Sequence, residues 1–127
     1  MKRDTIAHKG SKFTIEWYFD NRGRSSALDY FEGLSTDRKK KTTHLFYLLA
    51  SMGKIFNIQK FRSEGDQIFA IKPSPDRFLC FFFDGSKIIV TNAYEKKSEK
   101  MPPGEKQKAL KAKNDYIIRC KKGTYYD

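Results

Sequence analysis

Apolar and polar residues change rhythm twice along this chain. In "KFTIEWYF" (Lys12 to Phe19) they alternate, with β-branched and aromatic residues prominent, which predicts a strand. "DNRGR" then reads as a turn, and "SSALDYFEGLS" follows with Ala27, Leu28, Phe31 and Leu34 at helical spacing. Ser26 and Asp29 have the Ser-x-x-acid spacing of a capping box. A second helix begins near Ser35 or Thr36. It carries the cations Arg38 to Lys41 on its first turns, is expected to bury Leu45, Leu48, Leu49 and Met52, and ends at Gly53.

The second half returns to strands. "DQIFAIKP" (Asp66 to Pro73), "RFLCFFFD" (Arg77 to Asp84) and "KIIVTNAY" (Lys87 to Tyr94) are three candidates joined by turn signals, "PSPD" and the hairpin dipeptide Asp84-Gly85. The near-continuous apolarity of Phe78 to Phe83 predicts a central strand covered on both faces. From Pro103 to Lys122 the period becomes helical again, with Ala109, Leu110, Tyr116, Ile117 and Cys120 on one stripe and the lysines outside it. The predicted order is β-α-α-β-β-β-α. This is an α+β domain with a small, mainly antiparallel sheet, a helical hairpin on one side and a basic C-terminal helix. No repeat or linker divides residues 1–127, so one domain is expected.

Charge adds to that picture. A formal net charge of +11 on 127 residues exceeds what solubility requires and implies an anionic partner. The apolar run Phe78 to Phe83 is far short of the roughly 20 residues of a membrane-spanning helix. The opening "MKRDTIAHKGSKF" has no apolar core of a secretory signal. Cys80, inside an aromatic strand, and Cys120, near a helix end, are expected as free thiols in a reducing compartment. The two histidines, His8 and His44, are distant in sequence and neither cysteine has ligand spacing, so no metal site is expected.

Between Lys96 and Lys122 ten basic residues face three acidic ones, so this tail carries +7 of the +11. A solvated helix usually mixes signs, and the imbalance points to a polyanion, whether nucleic acid or an acidic protein. Lys72 ends one strand and Arg77 opens the next, and Lys96 and Lys97 leave the third. A short sheet gathering all four around one concavity suits phosphate clamping. Taken singly, each reads better as an ordinary solubilising residue at a strand end.

"IFAIKPSPDRFLCFFFDGSKIIVTNAYEKKSEKMPPGEKQKALKAKNDYI" resembles the core of the phage-derived HigB-like members of the RelE/ParE toxin superfamily. "FAIK", "DRFLCFFFDG", "YEKKSEKMP" and "KALKAKNDYI" carry the likeness, which extends from about Phe13 to Ile118. The resemblance implies a RelE-like fold and a cytoplasmic toxin of a type II toxin–antitoxin system. It further implies a ribosome-dependent, metal-independent mRNA endonuclease that needs no cofactor, in which the substrate 2′-hydroxyl attacks the adjacent phosphate. By this resemblance Lys72 and Arg77 stabilise the phosphate, Lys96 and Lys97 match the family's Lys-Lys pair, and Lys97 takes part in acid–base transfer. Lys100 is expected on RNA backbone, and Lys106, Lys108, Lys111 and Lys113 on RNA or ribosomal phosphate. Tyr94 is either core or a platform for a splayed base. The implied partners are the ribosome, mRNA and a small helix-turn-helix antitoxin. Asn92 and Ala93 stand where many relatives have His-Gly, and Met101 replaces a Thr. The alternatives are a ParE-like gyrase inhibitor and a non-catalytic nucleic-acid-binding module.

Overall fold

The computed structural model describes residues 4–53 and 60–126. Two short strands open it, β1 (Ile6–Lys9) and β2 (Thr14–Trp17), paired antiparallel. Helices α1 (Ser26–Glu32) and α2 (Thr36–Met52) follow. Then come β3 (Phe61–Ser63), β4 (Phe69–Ile71), β5 (Asp76–Phe83), β6 (Lys87–Glu95) and the closing helix α3 (Glu105–Lys121). Among the described residues the strands form one six-stranded sheet in the order β1-β2-β6-β5-β4-β3. Every neighbouring pair is antiparallel except β2 and β6.

The α+β class and the helical hairpin agree with the sequence pattern. The predicted element order omitted β1 and β3, which are four and three residues long and too short for a clear period. The strand expected over Asp66 to Pro73 shrinks to Phe69–Ile71. Its first residues belong instead to a turn in which Gly65, Asp66 and Gln67 all have positive φ, and such backbone cannot continue a strand.

The sheet separates two cores. Alternate β5 residues Phe78 and Cys80 join Ile15, Trp17, Phe46, Leu49, Ile88 and Val90 beneath α1 and α2. Leu79 and Phe81 point the other way, to Ile68, Ile89, Ala109, Tyr116 and Tyr125 beneath α3. Central burial holds through Phe81, and Phe82 re-emerges exposed. Burial also drives the Cys80 thiol well above its ordinary pKa, and Cys80 and Cys120 are both free.

Local chemistry sets the helix ends. Ser25, one residue earlier than expected, caps α1 by accepting the Leu28 N–H at 3.2 Å, and Ser35 accepts from Arg38 at the start of α2. Gly53 ends α2 in the left-handed region at φ 78°. The buried stripe of α2 is Thr42, Leu45, Phe46, Leu49 and Ala50. At 100° per residue that centres the stripe away from Leu48, which is half-buried, and from Met52, which is 58% exposed rather than buried. The β1–β2 turn lies directly on α2. A Cβ at Gly10 would stand 2.4 Å from the Ala50 carbonyl carbon, so only glycine fits there.

One ionic contact locks the helical layer to the sheet. Asp76, the first residue of β5, is fully buried. Its carboxylate accepts from Arg38 Nε at 3.0 Å and Nη2 at 2.5 Å, and from the Tyr30 hydroxyl. Arg38 also reaches Glu95 at the end of β6 at 3.2 Å. Losing Asp76 leaves Tyr30 and part of the Arg38 fork without an acceptor. Asp76→Ala is therefore expected to lower stability by about 3 kcal/mol, read as a lower urea midpoint with an unchanged m-value.

Candidate polyanion-binding site

The site lies on the α3 side of the sheet, beyond the start of that helix, and follows from strand register. Ile71 faces Phe78 across β4 and β5, and both belong to the core under α1 and α2. Their neighbours Lys72 and Arg77 therefore project to the opposite face. Arg77 is paired with Tyr94 of β6, and the Lys72 N–H donates to the Lys60 carbonyl at 2.8 Å, which extends the row to the β3 side. Phe61 packs into the first core, so alternation sends Lys60, Arg62 and Glu64 to the side of Lys72 and Arg77.

A cavity of about 170 Å³ is lined by Arg62, Glu64, Lys72, Arg77, Tyr94 and Lys96, with Ser98, Glu99, Lys100 and Met101 closing one side. A second depression of about 520 Å³ adjoins it. It shares Arg62, Lys72, Arg77, Lys96 and Glu99 and adds Lys60 and Ser74. Lys96 pairs with Glu99 at 3.4 Å. Among the described residues Arg62, Lys72 and Arg77 have no carboxylate within ion-pair distance; the Arg77 side chain donates only to the Asp76 carbonyl, at 3.1 Å. Burial, and then Arg77, Arg62 and Lys96, hold the Lys72 ammonium below the ordinary lysine pKa, against an opposing pull from Glu64. Burial and Glu64 raise the Tyr94 phenol, so it stands in the cleft as a neutral hydroxyl.

Three of the four residues expected at a phosphate clamp, Lys72, Arg77 and Lys96, thus line one cavity, and Lys100 lies on its wall. Lys97 is exposed and outside the lining. Tyr94 faces the cavity while its ring packs on the α3-side core. The lysines of α3 divide between its two flanks. Lys106 pairs with Asp66 at 2.8 Å, and Lys113 donates to the Gln67 side chain at 2.8 Å, so both engage the β3–β4 turn. Lys108 and Lys111 line a separate depression with Tyr18, Asp20 and Asn21, and Lys108 pairs with Glu105 at 3.3 Å.

Asn92 lines none of these cavities. It is 4% exposed, and its amide donates to the backbone carbonyl and the carboxylate of Glu105, both at 3.1 Å, tying β6 to the first turn of α3. Sequence reasoning missed Lys60, Arg62 and Glu64. Their signal was the period-2 alternation of charge in "KFRSE", which one short strand was enough to turn onto a single face. Among the described residues no group of three or more His, Cys, Asp or Glu side chains is placed to hold a metal ion, and no helix is long and apolar enough to cross a membrane.

The fold is thus a small α+β protein with a crowded row of cations on one sheet face, flanked by the carboxylates of Glu64 and Glu99 and the Tyr94 phenol. Residues 29–114, more than half of the chain and the whole of both cavities, match the family described as phage-derived protein Gp49-like (DUF891). The chain belongs to that family, one of toxin–antitoxin-related toxins. No curated protein matches it.

The Lys72 shift has a defined pH consequence. Its folded pKa lies below the unfolded value of about 10.5, so between the two the unfolded chain holds the extra proton. Stability from this group is lowest at neutral pH and rises as pH climbs through that window. Anion affinity moves the other way, because the neutral amine attracts no phosphate. Binding of a short oligonucleotide, followed by fluorescence anisotropy, is expected to weaken on the alkaline side before free lysine would titrate. Lys72→Ala should flatten that limb.

Proposed function

We propose that this chain is the toxin of a type II toxin–antitoxin system, a HigB-like, RelE-type endoribonuclease that cuts messenger RNA on the ribosome without a metal. The convergence of Lys72, Arg77, Arg62 and Lys96 with Glu64 in one cleft is the observation that carries the reading. Phosphodiester cleavage by the neighbouring 2′-hydroxyl needs charge stabilisation on phosphorus, a proton acceptor and a proton donor. Arg77 presents a planar fork with no acid at ion-pair distance among the described residues, and Lys72 and Lys96 flank it as point charges. Glu64 is the proton acceptor, since it is the carboxylate of the cleft free of any ion pair among the described residues. Tyr94 offers a half-buried ring on which a base can stack.

Lys97 and Lys100 contact RNA backbone at the rim, and Lys108 and Lys111 ribosomal phosphate. Lys106 and Lys113 share that role only after releasing Asp66 and Gln67. The expected setting is cytoplasmic, where ribosomes are. An antitoxin with an acidic segment would relieve the mutual repulsion of the cleft and silence it at once.

Arg77→Ala should lower cleavage of a translated message by about 10²- to 10³-fold with an unchanged circular dichroism spectrum. Primer extension in a translating extract reads this directly. Intact message after addition of the wild-type protein would sink the endonuclease reading. Inhibited gyrase supercoiling alongside it would replace that reading with a ParE-like one.

A further inference from the structure

The two adjoining depressions differ in what lies on either side of their shared cations. On the α3 side stand Glu64 and Tyr94; on the outer side stand Lys60 and Ser74. Lys60, Arg62 and Glu64 are alternate residues through β3, so they follow one another along a single face with Arg62 in the middle. At about 3.3 Å per residue the backbone from Lys60 to Glu64 spans roughly 13 Å, about two nucleotides of extended chain with one phosphate between them. The row from Lys60 through Lys72 to Arg77 is set by backbone pairing, so Lys60 is not a free-swinging surface residue at its base.

We infer that RNA crosses this cleft with a fixed polarity: the nucleoside bearing the attacking 2′-hydroxyl sits in the Glu64–Tyr94 lobe, the scissile phosphate on Arg62, Lys72, Arg77 and Lys96, and the leaving nucleoside in the outer lobe, where Lys60 is the general acid. This rests on the endonuclease reading and deepens it. The 2′-oxygen forms a bond to phosphorus as its proton passes to the Glu64 carboxylate. The bond from phosphorus to the 5′-oxygen breaks as the Lys60 ammonium donates a proton to that oxygen. The products are a 2′,3′-cyclic phosphate and a 5′-hydroxyl, and solvent returns the proton from Glu64 to Lys60. No redox change or further reactant is required.

A leaving group that needs no proton isolates the Lys60 step. Ribosomes carrying a message with one bridging 5′-phosphorothiolate at the mapped cleavage position, beside the same message with ordinary oxygen, provide the comparison. Lys60→Ala and Lys60→Arg should each slow cleavage of the oxygen linkage about 10²-fold. Both should recover to within a few-fold of wild type on the sulfur linkage. Lys60→Arg, which keeps the charge, should leave KM near wild type. Glu64→Gln should stay slow on both linkages.

Equal losses for the Lys60 variants on oxygen and sulfur, or no loss on oxygen, would overturn the assignment. Rescue of Glu64→Gln by sulfur would reverse the polarity and equally overturn it. If wild type cuts neither message, the endonuclease reading itself falls and this inference with it. That outcome is distinct from wild-type cleavage without sulfur rescue, which sinks the inference alone.

Discussion

The buried carboxylate of Asp76 is the contact on which the rest of the site depends. A charge taken fully out of water costs several kcal/mol unless it is paired and hydrogen-bonded. Here the Arg38 fork and the Tyr30 hydroxyl supply the pairing from two helices on the far side of the sheet. The partners must come together or not at all, so the helical layer, the start of β5 and the end of β6 have one mutual arrangement. The short segment before Asp76 inherits that rigidity. Lys72 lies at one end of it, Arg77 follows directly, and the Lys96 N–H donates to the Pro75 carbonyl at 2.8 Å. Lys72, Arg77 and Lys96, three of the cations of the cleft, are thus carried by backbone that a single buried ion pair holds still.

That rigidity has work to do against electrostatics. Arg62, Lys72 and Arg77 crowd one sheet face without acidic neighbours at ion-pair distance among the described residues, and only Lys96 has one, at the cleft wall. A free chain would relax such a cluster outward. Some cations elsewhere do meet acids: Lys106 meets Asp66, Arg119 meets Asp115, and Lys87 approaches Glu16. Where cations stay unpaired against a rigid backbone, their mutual repulsion destabilises the fold unless a bound anion relieves it. Burial first, and then the same crowding, depress the Lys72 pKa.

The lysines of α3 show how a charge run changes meaning once folded. Ala109, Ala112 and Tyr116 mark the buried stripe, and the cations fall on its two flanks. Lys106 and Lys113 face the left-handed turn at Gly65, Asp66 and Gln67 and fasten it to the helix, holding the segment that carries Glu64. Lys108 and Lys111 stand on the other flank, above Tyr18 and Asp20. Asn92, at a position where the sequence resemblance leads one to expect histidine, is used up in binding the first turn of α3. Its place in the sequence pattern and its place in the fold point to different jobs.

Periodicity and turn chemistry alone determined the long elements here. β5, β6, α2 and α3 are long enough for alternation or a helical stripe to rise above noise, and Asp84 and Gly85 both adopt the positive φ that their hairpin signal implies. The net charge of +11 raised the expectation of an anionic partner without reference to any fold. Only tertiary structure decided the strand order, the parallel β2–β6 pairing and the turning of Lys60, Arg62 and Glu64 onto the face of Lys72 and Arg77. Those depend on contacts between residues far apart in the chain, and on strands of three or four residues whose local preference is too weak to read. Charge is a property of composition, but a site is a property of register, and register exists only once the strands have paired.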